Sequence, residues 1–222
     1  MAQTTQPPIQ YRVSVWEGIA IATGAVVLVI AGLFGLSVRM ISNAFDPQRA
    51  EAIAQNLLDY KIPGGSQGKF SINIGGAKMA VVTSTASLKG FTGSSESGST
   101  PPPEVEIFVA RTPVNQEAGE TNPAQDYNAT FSFSGLSFSY QSDNGFQATS
   151  SRQENKVFCG VSVPFIIQEG QQTLIGESSS VPAIKYSARV VLDNHERLVV
   201  LTALGQNAKQ NATTVFNSLR CK

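Results

Sequence analysis

At 222 residues the chain has room for one medium domain beside a short hydrophobic segment. Hydrophobic residues make up 41%, enough for a core, whereas charged residues make up only 14%, well under the ~25% of ordinary soluble domains. The 16 basic and 16 acidic residues cancel, which argues against a general nucleic-acid binder, whose basic surface must release counterions, and against an electrostatic membrane-surface module.

The first element is the run Ile19 to Val38, which carries no charge and nothing more polar than Thr23 and Ser37. Twenty helical residues span ~30 Å, the hydrocarbon thickness of a bilayer. Trp16 precedes the run, and Arg12 and Arg39 bracket it as interfacial anchors do. A tail over 1–16 and a transmembrane helix over 17–40 are therefore expected. The rival is a cleaved signal peptide, because Ser42-Asn43-Ala44 satisfies the small-x-small rule. The run is longer than a signal peptide's apolar region, however, and Arg39 separates it from that site. Arg12 on one side against Arg39 and Arg49 on the other nearly balance. The short tail, the usual cytoplasmic end of a signal anchor, predicts a bulk domain outside the cytoplasm. Ala20, Gly24, Ala31 and Gly35 share one stripe. Small residues there either let a second helix approach or reflect the ordinary frequency of Gly and Ala in membrane helices, and the second reading is preferred.

A domain over 46–222 follows. Asp46-Pro47 supplies an N-cap and a proline at the first helical position, and Ala50, Ile53, Ala54, Leu57 and Leu58 form an amphipathic stripe ended by Lys61 to Gly65. Phe70, Ile72 and Ile74, then Gly75-Gly76, then Met79 to Val82 read as a hairpin. Residues 91–103 are a Gly/Ser/Pro loop. Val105, Ile107 and Val109 form a strand, followed by a polar loop to about Asp126. Phe131 and Phe133, then Leu136, Phe138 and Tyr140, read as a strand pair with a bulge or bend at Gly135; a core face is preferred over an aromatic ligand platform. Val161 to Ile167 alternate, and Glu169-Gly170 is expected to turn that strand. Ile184 to Val190 continue the sheet. Val190 to Leu192, a turn over Asp193 to Glu196, and Leu198 to Leu201 make a hairpin apolar on both faces, suited to the centre of a sheet. Ala208, Ala212, Val215, Phe216 and Leu219 mark a closing helix. The expected class is α+β: a transmembrane helix followed by one mostly antiparallel sheet domain covered by two amphipathic helices.

Candidate chemistry is sparse. Cys159 and Cys221 fit no zinc or redox spacing. They are either reduced thiols or, outside the cytoplasm, a disulfide whose loop closure stabilises by ~4 kcal/mol. His195 is the single histidine, so a general base or metal ligand there would need partners from elsewhere. Pro63 to Phe70 approaches a phosphate-binding loop but has Pro63 where glycine belongs and Phe70 where Ser or Thr belongs. Asn128-Ala129-Thr130 and Asn211-Ala212-Thr213 are glycosylation sequons, meaningful only in a eukaryotic secretory route. No catalytic, cofactor-binding or metal-binding residue is expected, nor a small-molecule or nucleic-acid partner.

The layout of 46–82 and 183–220, an amphipathic element before a hairpin and then a long hairpin with a closing helix, resembles the PsbP-like α/β sandwich domains. That resemblance implies a non-catalytic accessory or assembly role at a membrane complex. Together with the anchor it leads to the expectation of a membrane-tethered interaction domain of bacterial type, acting on a membrane complex or envelope partner. The alternatives are a sensory ectodomain, which needs a concave apolar pocket, and a pilin-like subunit, against which Glu17 lies before the apolar run and Pro47 breaks the stem.

Overall fold

The structure is a computed structural model, and it describes residues 14–88, 101–114, 129–133, 136–140, 145–174 and 180–222. Arg12, most of the 91–103 loop, the polar loop before Asp126, Gly135 and Asn128 lie outside the described residues. The chain divides into two units, Met1–Ser42 and Asn43–Lys222.

The first unit is built on helix α1 (Val15–Ala44). At its start the Ser14 N–H donates to the Glu17 carboxylate at 2.9 Å, satisfying a donor that the first turn leaves open. The stretch Val15–Gly35 is long and apolar enough to cross a membrane, with a mean hydropathy of 2.3 and none of it buried among the described residues.

In the second unit, α2 (Pro47–Leu57) is capped as its sequence requires: Asp46 Oδ1 accepts from the backbone N–H of Gln48 at 2.9 Å and of Arg49 at 3.3 Å. Leu58, read as a helical position, instead leaves the helix. With Asp59 it forms β1 (Leu58–Asp59), because the chain's end offers it a partner strand, β11 (Arg220–Cys221), with Leu58 opposite Cys221. The main sheet has seven strands: β2 (Ser66–Ile74), β3 (Ala77–Ser84), β4 (Val105–Pro113), β7 (Phe146–Phe158), β8 (Val161–Thr173), β9 (Ser180–Leu192) and β10 (His195–Leu204). Their order is β2-β3-β4-β10-β9-β8-β7, and every pairing is antiparallel. Two meanders thus meet at β4 and β10, and the doubly apolar strand β10 takes the central place. Strands β5 (Ala129–Phe133) and β6 (Leu136–Tyr140) pair separately, with Phe131 opposite Phe138 and Phe133 opposite Leu136.

Three hairpins close through two-residue turns in which both residues have positive φ: Gly75-Gly76, Cys159-Gly160 and Asp193-Asn194. Such turns match the right-handed twist of the strands that they join. The last turn is tighter than its sequence suggests, since His195 and Glu196 already belong to β10 and pair with Leu192 and Val191. Glu169-Gly170 does not turn the chain. β8 runs straight through it, and Gly170 is required for a different reason: a Cβ there would run into the carbonyl oxygen of Gln147, where β7 bulges between Ala148 and Ser150.

Helix α3 (Ala208–Ser218) and α2 lie on the same face of the sheet. Ala50, Ala54, Ala208 and Ala212 bring both helices close to the strands, over Val82, Ile107, Val199, Leu201 and Tyr186. Phe165 is fully buried at the centre, edge-on to Phe216 at 4.8 Å and to Phe158 at 5.8 Å. The opposite face carries a smaller cluster of Met79, Val81, Phe108, Ala110, Leu198 and Val200. The fold is α+β.

Candidate functional site

Strand register assembles a group of cations that lie far apart in sequence. Lys78 of β3 stands opposite Arg111 of β4, and Arg111 stands opposite Arg197 of β10. Alternation sets all three on the helix-bearing face, in line with Ala80, Val109 and Val199. His195, two positions before Arg197, shares that face.

The His195 ring is held from both sides. Its Nδ1 lies 2.7 Å from the Asp193 carbonyl oxygen, which can only accept, so Nδ1 carries the proton. Arg111 Nη2 lies 3.2 Å from Nε2 and 3.5 Å from Nδ1, so it approaches the ring between its two nitrogens. Arg197 Nη1 donates to the main-chain oxygen of Lys222, the last residue, at 2.9 Å. The Nε of Arg111 and the Nε of Arg197 are both buried and have no hydrogen-bond partner among the described residues. No described Asp or Glu side chain lies within ion-pair distance of Lys78, Arg111 or Arg197. Like charges directly opposite across strands destabilise a sheet, and a buried donor left unmade costs ~1–3 kcal/mol. The arrangement therefore gathers three cations with no described acidic side chain among them and leaves two Nε donors unused.

Beside this row the two cysteines meet. Cys159 sits in the β7–β8 turn and Cys221 in β11, at disulfide distance with Cα atoms 4.9 Å apart. Lys222 anchors the same end through Asp59 at 2.7 Å, and its N–H donates to the Leu57 carbonyl at 3.4 Å. That carbonyl closes α2, whose C-terminal dipole end favours nearby cations.

Elsewhere on the same face, charge is balanced. Arg152 pairs with Glu154 and Glu169 at 2.7 Å each, and Lys156 pairs with Glu154 at 2.8 Å. Hydrogen bonds from Lys156 and then Arg152 hold the Glu154 carboxyl down at about 2. Arg152 likewise lowers Glu169. On the opposite face of β4, burial pushes Glu106 up to about 7, with Lys69 opposing. A shallow polar depression runs along the outer side of α3, past Gln206, Lys209, Gln210 and Thr213. Among the described residues no three His, Cys, Asp or Glu side chains converge as a metal site requires.

Of the residues singled out in the sequence, Cys159 and Cys221 are brought together, and His195 lies beside the cationic row rather than in a turn. Ala20, Gly24, Ala31 and Gly35 lie exposed along α1, and among the described residues no atom lies within 4 Å of a Cβ placed at Gly24 or Gly35. Lys78, Arg111 and Arg197 escaped sequence reading. Their only local signal is that each interrupts an apolar strand. No family model matches the chain, and no curated protein matches it in sequence.

Proposed function

We infer that this chain is a membrane-tethered, non-catalytic accessory or interaction domain that works on a neighbouring membrane complex or envelope partner. The observation that carries this reading is the exposed apolar helix Val15–Gly35, none of it buried among the described residues, which has the length of a bilayer crossing. The α+β domain begins at once after α1, with only Phe45 and Asp46 before α2. A domain on so short a tether acts on what lies at the membrane. The PsbP-like layout implies the same kind of role. Cysteines at disulfide distance favour an oxidising, extracytoplasmic side for the bulk domain.

The test is thiol labelling in intact cells with a membrane-impermeant reagent. Labelling of Cys221 only after reduction is the expected result. Labelling that requires membrane permeabilisation overturns the orientation. In-cell crosslinking that returns no stable membrane partner counts against the accessory role.

A further inference from the structure

We propose that Lys78, Arg111 and Arg197 form a binding site for a phosphate group, free or carried on a lipid headgroup. Adjacent strands are ~4.8 Å apart, so one oxyanion seated over the row reaches both guanidiniums at once. The guanidinium N–H groups not engaged by His195 and Lys222 supply the hydrogen bonds, and Lys78 supplies a third cation from the next strand. A carboxylate has only two oxygens for these donors. A phosphate offers three or four, with a charge closer to that of the row. Each of the three side chains is only partly buried, so an anion can reach it from solvent. The site is also preorganised. Arg111 and Arg197 stand on neighbouring central strands, the His195 ring holds one Arg111 nitrogen, and the main-chain oxygen of Lys222 holds one Arg197 nitrogen.

This proposal does not depend on the anchor's orientation or on the identity of any protein partner. His195 is the single histidine, which makes its imidazole resonances a unique reporter 3.2 Å from Arg111. The full chain is held in uncharged detergent at fixed pH and titrated with inorganic phosphate. A saturable displacement of those resonances, with a midpoint in the millimolar range or below, is the expected result. Sodium chloride at matched ionic strength leaves them in place. R111Q removes the displacement, and R152Q, in the balanced charge group, keeps it. If R111Q does not fold, K78Q serves, with at least a threefold weaker midpoint expected. In nanodiscs, displacement by phosphatidylglycerol but not by phosphatidylcholine assigns the phosphate to a lipid headgroup, and displacement by inorganic phosphate assigns it to a soluble ligand. An equal response to chloride or to acetate, a response retained in both R111Q and K78Q, or no response to phosphate and phosphatidylglycerol alike overturns the proposal.

Discussion

Two charged groups occupy one face of the same sheet, and they differ in how completely they are paired. Around Arg152, every cation meets a carboxylate: Glu154 and Glu169 bind Arg152, and Lys156 adds to Glu154. Around Arg111, three cations face one another across strands and, among the described residues, meet the His195 ring and the main-chain oxygen of Lys222 but no acidic side chain. The balanced group lies on β7 and β8, at the sheet's edge, where charged side chains discourage a further strand from adding. The unbalanced group lies on β3, β4 and β10, in the sheet's middle, where no such protection is needed. Charge at an edge has a structural use; unpaired charge in the centre invites a ligand.

The Cys159–Cys221 pair links the two groups, since Cys159 turns the hairpin that bears Arg152 and Cys221 precedes the residue bound by Arg197. Breaking it is expected to have the largest effect. C221S should lose ~4 kcal/mol under oxidising conditions, measured by denaturant unfolding. It should also match the wild type in reductant. Next is the edge group's own support. G170A forces a Cβ against the Gln147 carbonyl oxygen and should cost ~3 kcal/mol by pushing β7 from β8. Hydrogen exchange should then rise along β7 and not along β4 or β10.

Glu106 offers a test by pH on the other face of β4. Its carboxyl titrates near 7 in the fold against an ordinary 4.5, so the folded state holds a proton that the unfolded chain has released. Its contribution is fully present below about 4.5 and is lost as pH rises to about 7. E106Q should remove that slope and be more stable than the wild type by ~2 kcal/mol at pH 8, a figure discounted for the side chain's partial exposure. Equal stability of the two proteins at pH 8 would sink the assignment.

The smallest effect separates the two groups most directly. K78Q relieves a like-charge pair and should raise stability by ~0.5 kcal/mol at low salt. R152Q should act in the opposite direction, and both changes should fade as salt rises. Thermal melts of the two variants at low and high salt decide it, and a loss in K78Q would mean that the row is structurally satisfied.

Much of this architecture was legible in the chain because it depends on neighbours in sequence. The apolar run of α1, the Asp46-Pro47 start of α2, the two-residue turn at Gly75-Gly76 and the doubly apolar strand around Val199 are local patterns with local causes. β7 was not legible. An edge strand buries little, so Phe146–Phe158 carries no apolar alternation beyond its end. β1 was missed because Leu58 is an acceptable helical residue, and only the arrival of Cys221 beside it makes extension favourable. Gly170 read as a turn because its true constraint, the close approach of Gln147, comes from another strand.

The sequence by itself determined an apolar helix long enough for a bilayer, an α+β domain after it, and which residues face a core. Only the tertiary structure decided that both helices share one face, that Cys159 meets Cys221, and that Lys78, Arg111 and Arg197 stand in a row. The reason is register. Side-chain period along a strand is written locally, but which residues stand opposite one another is set by how distant strands align, and that alignment created both the balanced charges and the unbalanced ones.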